Sequence, residues 1–330
     1  MSAQTLGRPL SALAILAGLA ACSASASGGA TANVGYVPQT AAAQPSGRGN
    51  PVQVFTANRG YSSILGFKAV TRNTTGNVAP TTTIAGSNTL LSDPSSLAMD
   101  AQHNTYVANA AGNQIEVFAA GANGNVAPVR IISGPATQLF GINGLYVDPN
   151  GYLWAANYSA GTVTAYAPGA NGNVAPAYEI SGVSSPAGMV MNQQGELFVA
   201  EPITTGIFVF AKNSDGHFVQ VGQIAGDYTD LANPQALAFD SNGRLLVGDF
   251  TAGVVIFAAG ATGNVAPVQW ITGISGDGVL ADSSNRIWVT DSVNNAIDEF
   301  ASNASGGATP LRTIHGHRTT LSNPTGLVMN

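Results

Sequence analysis

Short apolar stretches recur along most of the chain, and turn-forming residues separate them. In residues 144–181 the stretches are Gly144–Asp148, Leu153–Ala156, Thr162–Tyr166 and Pro176–Ser181. Asp148-Pro-Asn-Gly lies between the first two stretches, and this sequence favours a tight turn. The short length of each stretch and its β-branched and aromatic content predict strands rather than helices.

This four-strand pattern repeats, as three sequence markers show. Gly-Asn-Val-Ala-Pro begins at Gly76, Gly124, Gly172 and Gly263, with degenerate copies at Gly216 and Gly306. An apolar stretch precedes each of Asp100, Asp148, Asn192, Asp240, Asp282 and Asn330. Stretches of the Val-Ala-Asn type end at Asn58, Asn109, Asn157, Glu201, Asp249 and Asp291. Six copies of about 45 residues, each with four strands, predict an all-β, six-bladed β-propeller of four-stranded antiparallel blades.

We name the strands of a blade a to d, from the centre of the ring outwards. The Gly-Asn-Val-Ala-Pro prolines are expected at the start of the outermost strand, d. Proline has no backbone donor, so it suits the first residue of a strand or an edge strand.

Neither end of the repeat region forms a whole blade. The first apolar stretch, Val52–Ala57, corresponds to a strand b, and the last, Gly326–Met329, corresponds to a strand a. A closed ring leaves no strand a unpaired, so we expect the C-terminal strand to join the N-terminal strands and complete one blade. The predicted propeller covers residues 51–330.

The last copy carries a family resemblance. Thr313-Ile-His-Gly-His-Arg-Thr-Thr-Leu-Ser-Asn-Pro-Thr-Gly-Leu-Val-Met-Asn330 resembles the NHL repeat, and Gln223–Asp240 and Thr83–Asp100 are similar in the same way. The resemblance implies a propeller. It implies little about function, because such propellers serve as lyases, lactonases, ligand sensors and protein-binding platforms.

The charge composition limits the kinds of molecule that the protein is expected to bind. The net charge is −6, and only 11 Lys and Arg residues are spread along the 330-residue chain. A phosphate backbone needs a basic face, so we expect no nucleic-acid partner. The sequence gives no sign of an oligomer, and we expect a monomer.

The single cysteine, Cys22, excludes an intrachain disulfide and marks a processing site. A short apolar segment, Leu10–Ala21, follows Arg8, and Leu19-Ala-Ala-Cys22 resembles the bacterial lipobox. The resemblance implies a lipoprotein signal peptide over residues 1–21, acylation of Cys22 and an exported, membrane-anchored protein of the cell envelope. A plain secretory signal is the alternative. Residues 22–50 are rich in small and polar residues and read as a flexible tether.

The chain order places the ends of the b strands and the starts of the a strands on one face of the disc, which we call the top face. Glu201, Asp249 and Asp291 end three consecutive b strands there, and nearby loops add Asp227 and Asp230. Such residues commonly close a turn through their own backbone. A further hypothesis is an acidic arc over blades four to six that attracts a cation, such as calcium, or a basic partner.

The residues that open the a strands should surround the top of the central channel. They are Ser95, Asn143, Ala187, Gln235, Asp277 and Thr325. Asn143-Gly-Leu and Asp277-Gly-Val resemble metal-ligand positions of gluconolactonase-type propellers. That family places these ligands on neighbouring blades, whereas these two lie three blades apart, and its early glutamate motif is missing.

Two of the four histidines are candidate metal ligands. His315 and His317 flank Gly316 in a predicted top-face loop, whereas His103 and His217 lie in predicted bottom-face turns. Histidines at i and i+2 can share a metal, and peptide-amidating lyases of this fold use histidine-bound zinc. The alternative is that both are variable loop positions. We expect no obligate cofactor and keep a divalent cation as a hypothesis.

No nucleophile elbow, zinc-protease motif, P-loop or dinucleotide fingerprint is present. Tyr158, Phe250 and Tyr228 fall in or beside top-face loops and could form an aromatic rim. The sequence therefore favours a non-enzymatic propeller that binds a protein, peptide or glycan through its top face. The alternative is a metal-dependent lactonase or lyase, which should show a deep polar pocket at Asp277.

Overall fold

The computed structural model describes residues 52–68 and 76–330, which belong to one compact unit, Tyr36–Asn330. The predicted signal peptide, Cys22 and the tether lie outside the described residues. The described chain forms six sheets of four antiparallel strands arranged as a propeller, so the predicted fold class is confirmed. None of the described residues forms a helix long and apolar enough to span a bilayer.

The first three blades hold strands β1 to β11 and the C-terminal strand β24. Blade 1 contains β24 (Pro324–Met329), β1 (Gln53–Asn58), β2 (Ser63–Lys68) and β3 (Thr82–Ile84). Blade 2 contains β4 (Pro94–Met99), β5 (Thr105–Asn109), β6 (Gln114–Phe118) and β7 (Arg130–Ile132). Blade 3 contains β8 (Ile142–Val147), β9 (Leu153–Asn157), β10 (Thr162–Tyr166) and β11 (Tyr178–Ile180).

The other three blades follow in chain order. Blade 4 contains β12 (Met189–Met191), β13 (Leu197–Glu201), β14 (Gly206–Lys212) and β15 (Phe218–Ala225). Blade 5 contains β16 (Pro234–Phe239), β17 (Leu245–Asp249), β18 (Gly253–Phe257) and β19 (Gln269–Ile271). Blade 6 contains β20 (Gly278–Ala281), β21 (Ile287–Asp291), β22 (Ala296–Phe300) and β23 (Arg312–Ile314). Single 3₁₀ turns lie at Arg59–Tyr61, Ser87–Thr89, Ala110–Gly112, Pro135–Thr137 and His317–Thr319.

The ring closes as predicted, by a strand from each terminus. Strand β24 pairs antiparallel with β1, and Phe55 lies opposite Val328. At the end of the chain, the Asn330 side-chain oxygen accepts the backbone N–H of Gln53 at 2.7 Å. Thr56 Oγ1 donates to the backbone carbonyl of Thr325 at 2.8 Å. The closing strand is therefore fixed by backbone pairing and by side-chain bonds.

In blades 2 to 6, an Asp or Asn follows strand a and closes the turn to strand b. In blade 5, Asp240 Oδ1 accepts the backbone N–H groups of Asn242 and Arg244, each at 2.9 Å. Asp282 in blade 6 accepts two backbone N–H groups in the same way. The sequence marker is thus a turn-closing side chain on the bottom face.

The Gly-Asn-Val-Ala-Pro segment lies elsewhere than expected. Its place in the connection from strand c to strand d predicts a bottom-face turn, but its glycine forms a parallel bridge to a buried isoleucine near the end of the preceding blade's strand d. The pairs are Gly76 with Ile314, Gly124 with Ile84, Gly172 with Ile132, Gly263 with Ile224, and Gly306 with Ile271. The following asparagine then caps the loop beyond: Asn125 Oδ1 accepts the N–H of Asn88 at 2.7 Å. The segment is therefore an inter-blade clasp.

Blade 4 departs from this pattern. The degenerate copy at Gly216 is a hairpin turn, in which the Asn213 N–H donates to the carbonyl of His217 at 2.8 Å. It joins the two longest strands of the blade, β14 and β15. The prolines also differ slightly from prediction, since Pro176 precedes β11 by two residues instead of starting it.

The core lies between successive blades, where both faces of each sheet are covered. Trp154 and Trp288 are each 1% exposed and lie on equivalent b strands. The apolar clusters extend from one blade to the next, as in the group that joins Trp154 with Phe198 and Val247. The alternating side chains of each strand therefore face one neighbouring blade or the other.

Candidate functional site

The ends of the b strands are interior positions. Asn58, Asn109 and Asn157 are almost fully buried. The side-chain oxygen of Asn109 accepts the N–H of Ser92 at 2.7 Å, and its amide donates to the carbonyl of Leu90 at 2.8 Å. These side chains hold the loop that enters strand a of the same blade.

Two of the three carboxylates at this position hold the same loop by its backbone, whereas Asp291 accepts the hydroxyl of Ser275 and the backbone N–H of Asn294. Asp249 is fully buried and accepts the N–H groups of Ala232 and Asn233, both at 2.8 Å. Glu201 accepts the N–H groups of Ser184 and Ser185 at 3.0 and 3.1 Å. Burial raises the pKa of Glu201, although those donors oppose the shift.

The predicted acidic arc is therefore wrong for these three positions. Glu201 and Asp249 are fully buried and Asp291 is 3% exposed, so none of them presents a carboxylate to a partner at the surface. Asp227 and Asp230 do lie exposed in the loop that enters blade 5. A side chain that ends a strand can point outwards or into the neighbouring loop, and sequence alone does not separate the two.

A small cavity of about 130 Å³ opens at the top of the central channel. Ser95, Asn143, Gln235, Asp277 and Thr325 line it as predicted, and Gly188 takes the place expected for Ala187. Among the predicted ligand-binding residues, Asn143, Gln235 and Asp277 are thus brought together. The cavity is small and mostly polar.

Two amides bridge part of this cavity. Asn143 Nδ2 of blade 3 donates to Gln235 Oε1 of blade 5 at 3.2 Å, across the edge of blade 4. Gln235 Nε2 donates in turn to Asn233 Oδ1 at 2.6 Å. Gly188 of blade 4 lies between the two, packed so closely on blade 5 that a Cβ would come within 2.6 Å of the backbone of Gln235 and Ala236.

Negative charge concentrates on the top of blade 6. Ser275 Oγ lies 3.0 Å from Asp277 Oδ2 and 3.2 Å from Asp291 Oδ1. Burial raises the pKa of Asp277, and the nearby Asp291 adds to the shift. Asp298 lies on the adjacent strand, where burial raises its pKa to about 6. Asp277 thus combines partial burial with access to the channel.

The predicted metal ligands are not gathered. His315 and His317 are exposed, and His317 Nδ1 lies 3.1 Å from Asn77 Nδ2 in the clasp of blade 1. Within residues 52–68 and 76–330, no three His, Cys, Asp or Glu residues are placed to hold a metal ion. Asn143 and Asp277 lie on opposite sides of the channel, as their spacing in the sequence indicated.

Exposed apolar side chains lie in loops of the same face as this polar cavity. Tyr228 is 70% exposed and Phe250 is 41% exposed, as the predicted rim requires, whereas Tyr158 is half-buried. Among residues 52–68 and 76–330, twelve large apolar residues are exposed, and seven of them lie in top-face loops: Tyr61, Leu90, Phe140, Ile203, Tyr228, Phe250 and Val293. We call these seven residues the apolar rim.

Sequence reasoning missed part of the rim and a cation beside it. Tyr61 follows the b-strand end Asn58 in the same turn that holds Tyr158 in blade 3, so aligning the repeats could have identified it. Arg59 also lines the cavity, and its guanidinium forms an ion pair with Asp93 of blade 2. Its side chain is 41% exposed, so this pair adds little stability.

Solved structures support the fold. A protein of unknown function from Bacteroides caccae aligns with a TM-score of 0.61 at 10% identity, covering 85% of this chain and 99% of that chain. A putative 6-phosphogluconolactonase from Bacteroides fragilis gives 0.57 at 15% identity, with 87% and 100% covered. The WD40 β-propeller domain of Doa1 gives 0.52 at 10% identity, with 77% of each chain covered.

No protein-family model and no curated protein sequence matches the chain. Identities of 10–15% to the solved structures establish a shared propeller architecture.

Proposed function

We propose that this chain is an NHL-type binding propeller whose top face captures a polypeptide. The observation that carries the proposal is the apolar rim on the top face, which also holds the small polar cavity. Exposed apolar patches with polar neighbours mark protein-interaction sites, and aromatic residues are enriched there. The rim also contains Leu90, Ile203 and Val293, which suit a polypeptide better than a glycan because sugars stack mainly on aromatic rings.

The cavity size supports the same choice. Pockets for small-molecule substrates usually occupy about 300–1,000 Å³. The channel cavity of about 130 Å³ is smaller and fits one side chain of a docked partner. A lactonase or lyase acting in the channel, the alternative function, has correspondingly less support.

A peptide selection tests the proposal. Peptides are selected from a random library on the immobilised protein, and their affinity is measured for the double variant Tyr228→Ser/Phe250→Ser. We expect the variant to lose at least about tenfold in affinity, because buried aromatic anchors contribute more than about 1 kcal/mol each. The measurement is fluorescence anisotropy with labelled peptide.

The control is Val129→Ser/Leu311→Ser. Both residues are as exposed as the rim residues, at 58% and 56%, but they lie next to the outer strands, away from the top face. This variant should bind like the wild type. Equal losses in both variants, or selected peptides that ignore the rim variant, would contradict a top-face site.

The proposal includes a lipid anchor. Acylation of Cys22 would hold the propeller at a bacterial membrane, with residues 22–50 as the tether. Its support is the lipobox-like sequence Leu19-Ala-Ala-Cys22 after an apolar segment. More than one acyl chain is needed for a stable anchor.

Substituting Cys22 tests the anchor. Expressed in a bacterium fed labelled palmitate, the wild type should carry label and sediment with membranes. Cys22→Ser should lose all label and move to the soluble fraction, because serine offers no thiol for acylation. Ser23→Ala is the matched control and should behave like the wild type. A Cys22→Ser protein that still carries label would disprove acylation at this residue.

A further inference from the structure

A second cavity, of about 610 Å³, lies on the bottom face between blades 4 and 5. Phe198, Ile224 and Leu245 form its buried floor. The rings of Phe198 and Phe239 meet edge to face with centroids 5.2 Å apart, and Val221 beside them is 54% exposed. We call this cavity the 4–5 cleft. Its volume falls within the usual range for small-molecule pockets.

The equivalent positions in other blades explain why this cleft is open. Each strand d carries a buried isoleucine, and the residue two positions earlier lies on the same face of the strand. That residue is Thr82, Arg130, Tyr178, Gly222, Gln269 and Arg312 in blades 1 to 6. Blade 4 alone has glycine there, so no side chain fills the space.

Two of those long side chains show what the space normally holds. Arg130 reaches the next blade and donates to the carbonyl of Ala170 at 3.3 Å. Gln269 donates to the carbonyl of Ala304, the equivalent residue in blade 6, at 2.5 Å. The matching residue in the 4–5 cleft is Ala261, which lines the cavity opposite Gly222. The Ala261 carbonyl therefore corresponds to the carbonyls that accept hydrogen bonds from Arg130 and Gln269 in the other two clefts.

The backbone does not require glycine at position 222. A Cβ there would come no closer than 3.7 Å to another atom, the Oγ1 of Thr262, which is an ordinary contact. Its φ also lies outside the left-handed region that favours glycine. A larger residue would fit, so the empty space is a property of the site and not of the fold.

The 4–5 cleft has a carboxylate at a position that holds arginine in blades 5 and 6. In blades 5 and 6 the fourth residue after the turn-closing Asp is Arg244 or Arg286, and each pairs with that Asp. In blade 4 this position holds Glu196, which accepts a bond from Asn192 at 2.6 Å. In the part of the chain that the structure describes, Glu196 forms no ion pair. The cleft therefore offers a carboxylate to a cation.

Cations beside aromatic rings occupy other clefts of this ring. Arg130 lies 5.4 Å from the ring centroid of Tyr106, and Lys212 lies 4.1 Å from that of Tyr178. The 4–5 cleft keeps the aromatic wall and the carbonyl but lacks the cation. A ligand that supplies a flat ring and a cationic N–H group would complete it.

We propose that the 4–5 cleft binds a small aromatic amine or amidine. The ring packs against Phe198 and Phe239. The cationic N–H groups face Glu196 and the carbonyl of Ala261. The 4–5 cleft lies on the opposite face from the apolar rim, so this proposal does not depend on the proposed top-face function.

Benzamidine is the test ligand, with benzyl alcohol as its neutral counterpart, and calorimetry on the whole protein is the measurement. We expect benzamidine to saturate one site with a Kd of about 1 mM or lower and to bind at least about tenfold more tightly than benzyl alcohol. Glu196→Gln should remove this preference, and it should leave benzyl alcohol unchanged. No saturation by about 10 mM benzamidine would overturn the proposal.

Variants that place a side chain in the 4–5 cleft test where benzamidine binds. Gly222→Arg or Gly222→Gln, the residues of blades 2 and 5, should reduce benzamidine affinity at least about tenfold while the melting temperature stays equal or rises. Two variants are used so that one that folds poorly leaves the other informative. Val219→Arg adds the same charge outside the cavity and should bind normally, as should Tyr228→Ser/Phe250→Ser. Unchanged binding in a folded Gly222→Arg protein would place the ligand elsewhere.

Discussion

Removing residues 324–330 is expected to abolish cooperative unfolding of the propeller. These residues form β24, which is the inner strand of blade 1, and its Leu327 and Val328 pack in two separate apolar clusters. Each buried side chain of this size contributes about 1.5–3 kcal/mol, and the loss also exposes the backbone edge of β1. The total approaches the whole stability of a typical domain, which is about 5–15 kcal/mol.

Circular dichroism during thermal and urea unfolding measures this effect. Deleting Asn330 alone is the control, because it removes the bonds to Gln53 but keeps the strand. It should cost about 1–2 kcal/mol and leave a cooperative transition. A peptide covering residues 322–330, added to the truncated protein, should restore the transition, whereas a scrambled peptide should not. A truncated protein that melts cooperatively within a few degrees of the wild type would show that the ring does not need this strand.

Stability should fall as the pH rises towards 8, in part because of Glu116. This residue is fully buried in β6, where Asn109 and Gln114 each donate to its Oε1 at 2.6 Å. Its other oxygen, Oε2, is buried without a hydrogen-bond partner. Burial raises the pKa of Glu116 from 4.5 to about 7, against the effect of the two donors. The folded state therefore holds a proton that the unfolded state releases more easily.

The direction and size of this pH dependence follow from the difference in the pKa of Glu116 between the folded and unfolded states. Because the pKa is raised on folding, the contribution is fully present below pH 4.5 and is lost as the pH rises through about 7. The shift corresponds to about 3 kcal/mol of unfolding free energy. In Glu116→Gln the amide oxygen keeps both bonds and does not titrate. The stability of the variant relative to the wild type should therefore increase by about 3 kcal/mol between pH 4 and pH 8.

Urea unfolding at several pH values measures that difference. Glu179→Gln removes an exposed carboxylate and serves as the control, with an expected change within about 0.5 kcal/mol across the range. Parallel stability curves for the wild type and Glu116→Gln would show that Glu116 titrates alike in both states. Comparing each variant with the wild type cancels the contribution of the other carboxylates, including Asp298.

Local sequence signals predicted the blades well because each blade is built from neighbouring segments. The b strands end at the marker residues, such as Asn109 and Asp249, and the turn-closing Asp or Asn follows strand a in blades 2 to 6. Strand closure was predictable for a different reason: an unpaired strand at each terminus has one obvious partner. The residues within one repeat are therefore enough to predict its strands and turns, and the sequence of the neighbouring blade is not needed.

The features that the sequence did not predict depend on contacts between blades or between a blade and its loops. The Gly-Asn-Val-Ala-Pro segment resembles a turn, and only the neighbouring isoleucine shows that it is a clasp. Asp249 and Glu201 looked like surface carboxylates, yet the loop entering strand a covers both of them. The opposite case is Gly222, which a comparison of the six repeats would have flagged, because the other copies carry larger residues there.

The clasps give the ring a direction of assembly. Four of them join a blade to the one made just before it, so blades 2, 3, 5 and 6 each fasten their predecessor within a short length of chain. Two connections can form only after the C-terminal residues have been made: the pairing of β24 with β1, and the bridge from Gly76 to Ile314. Growth from the ribosome can thus build the disc progressively, with most pairings at low sequence separation. Only the final seam requires the two ends of a nearly finished molecule to find each other.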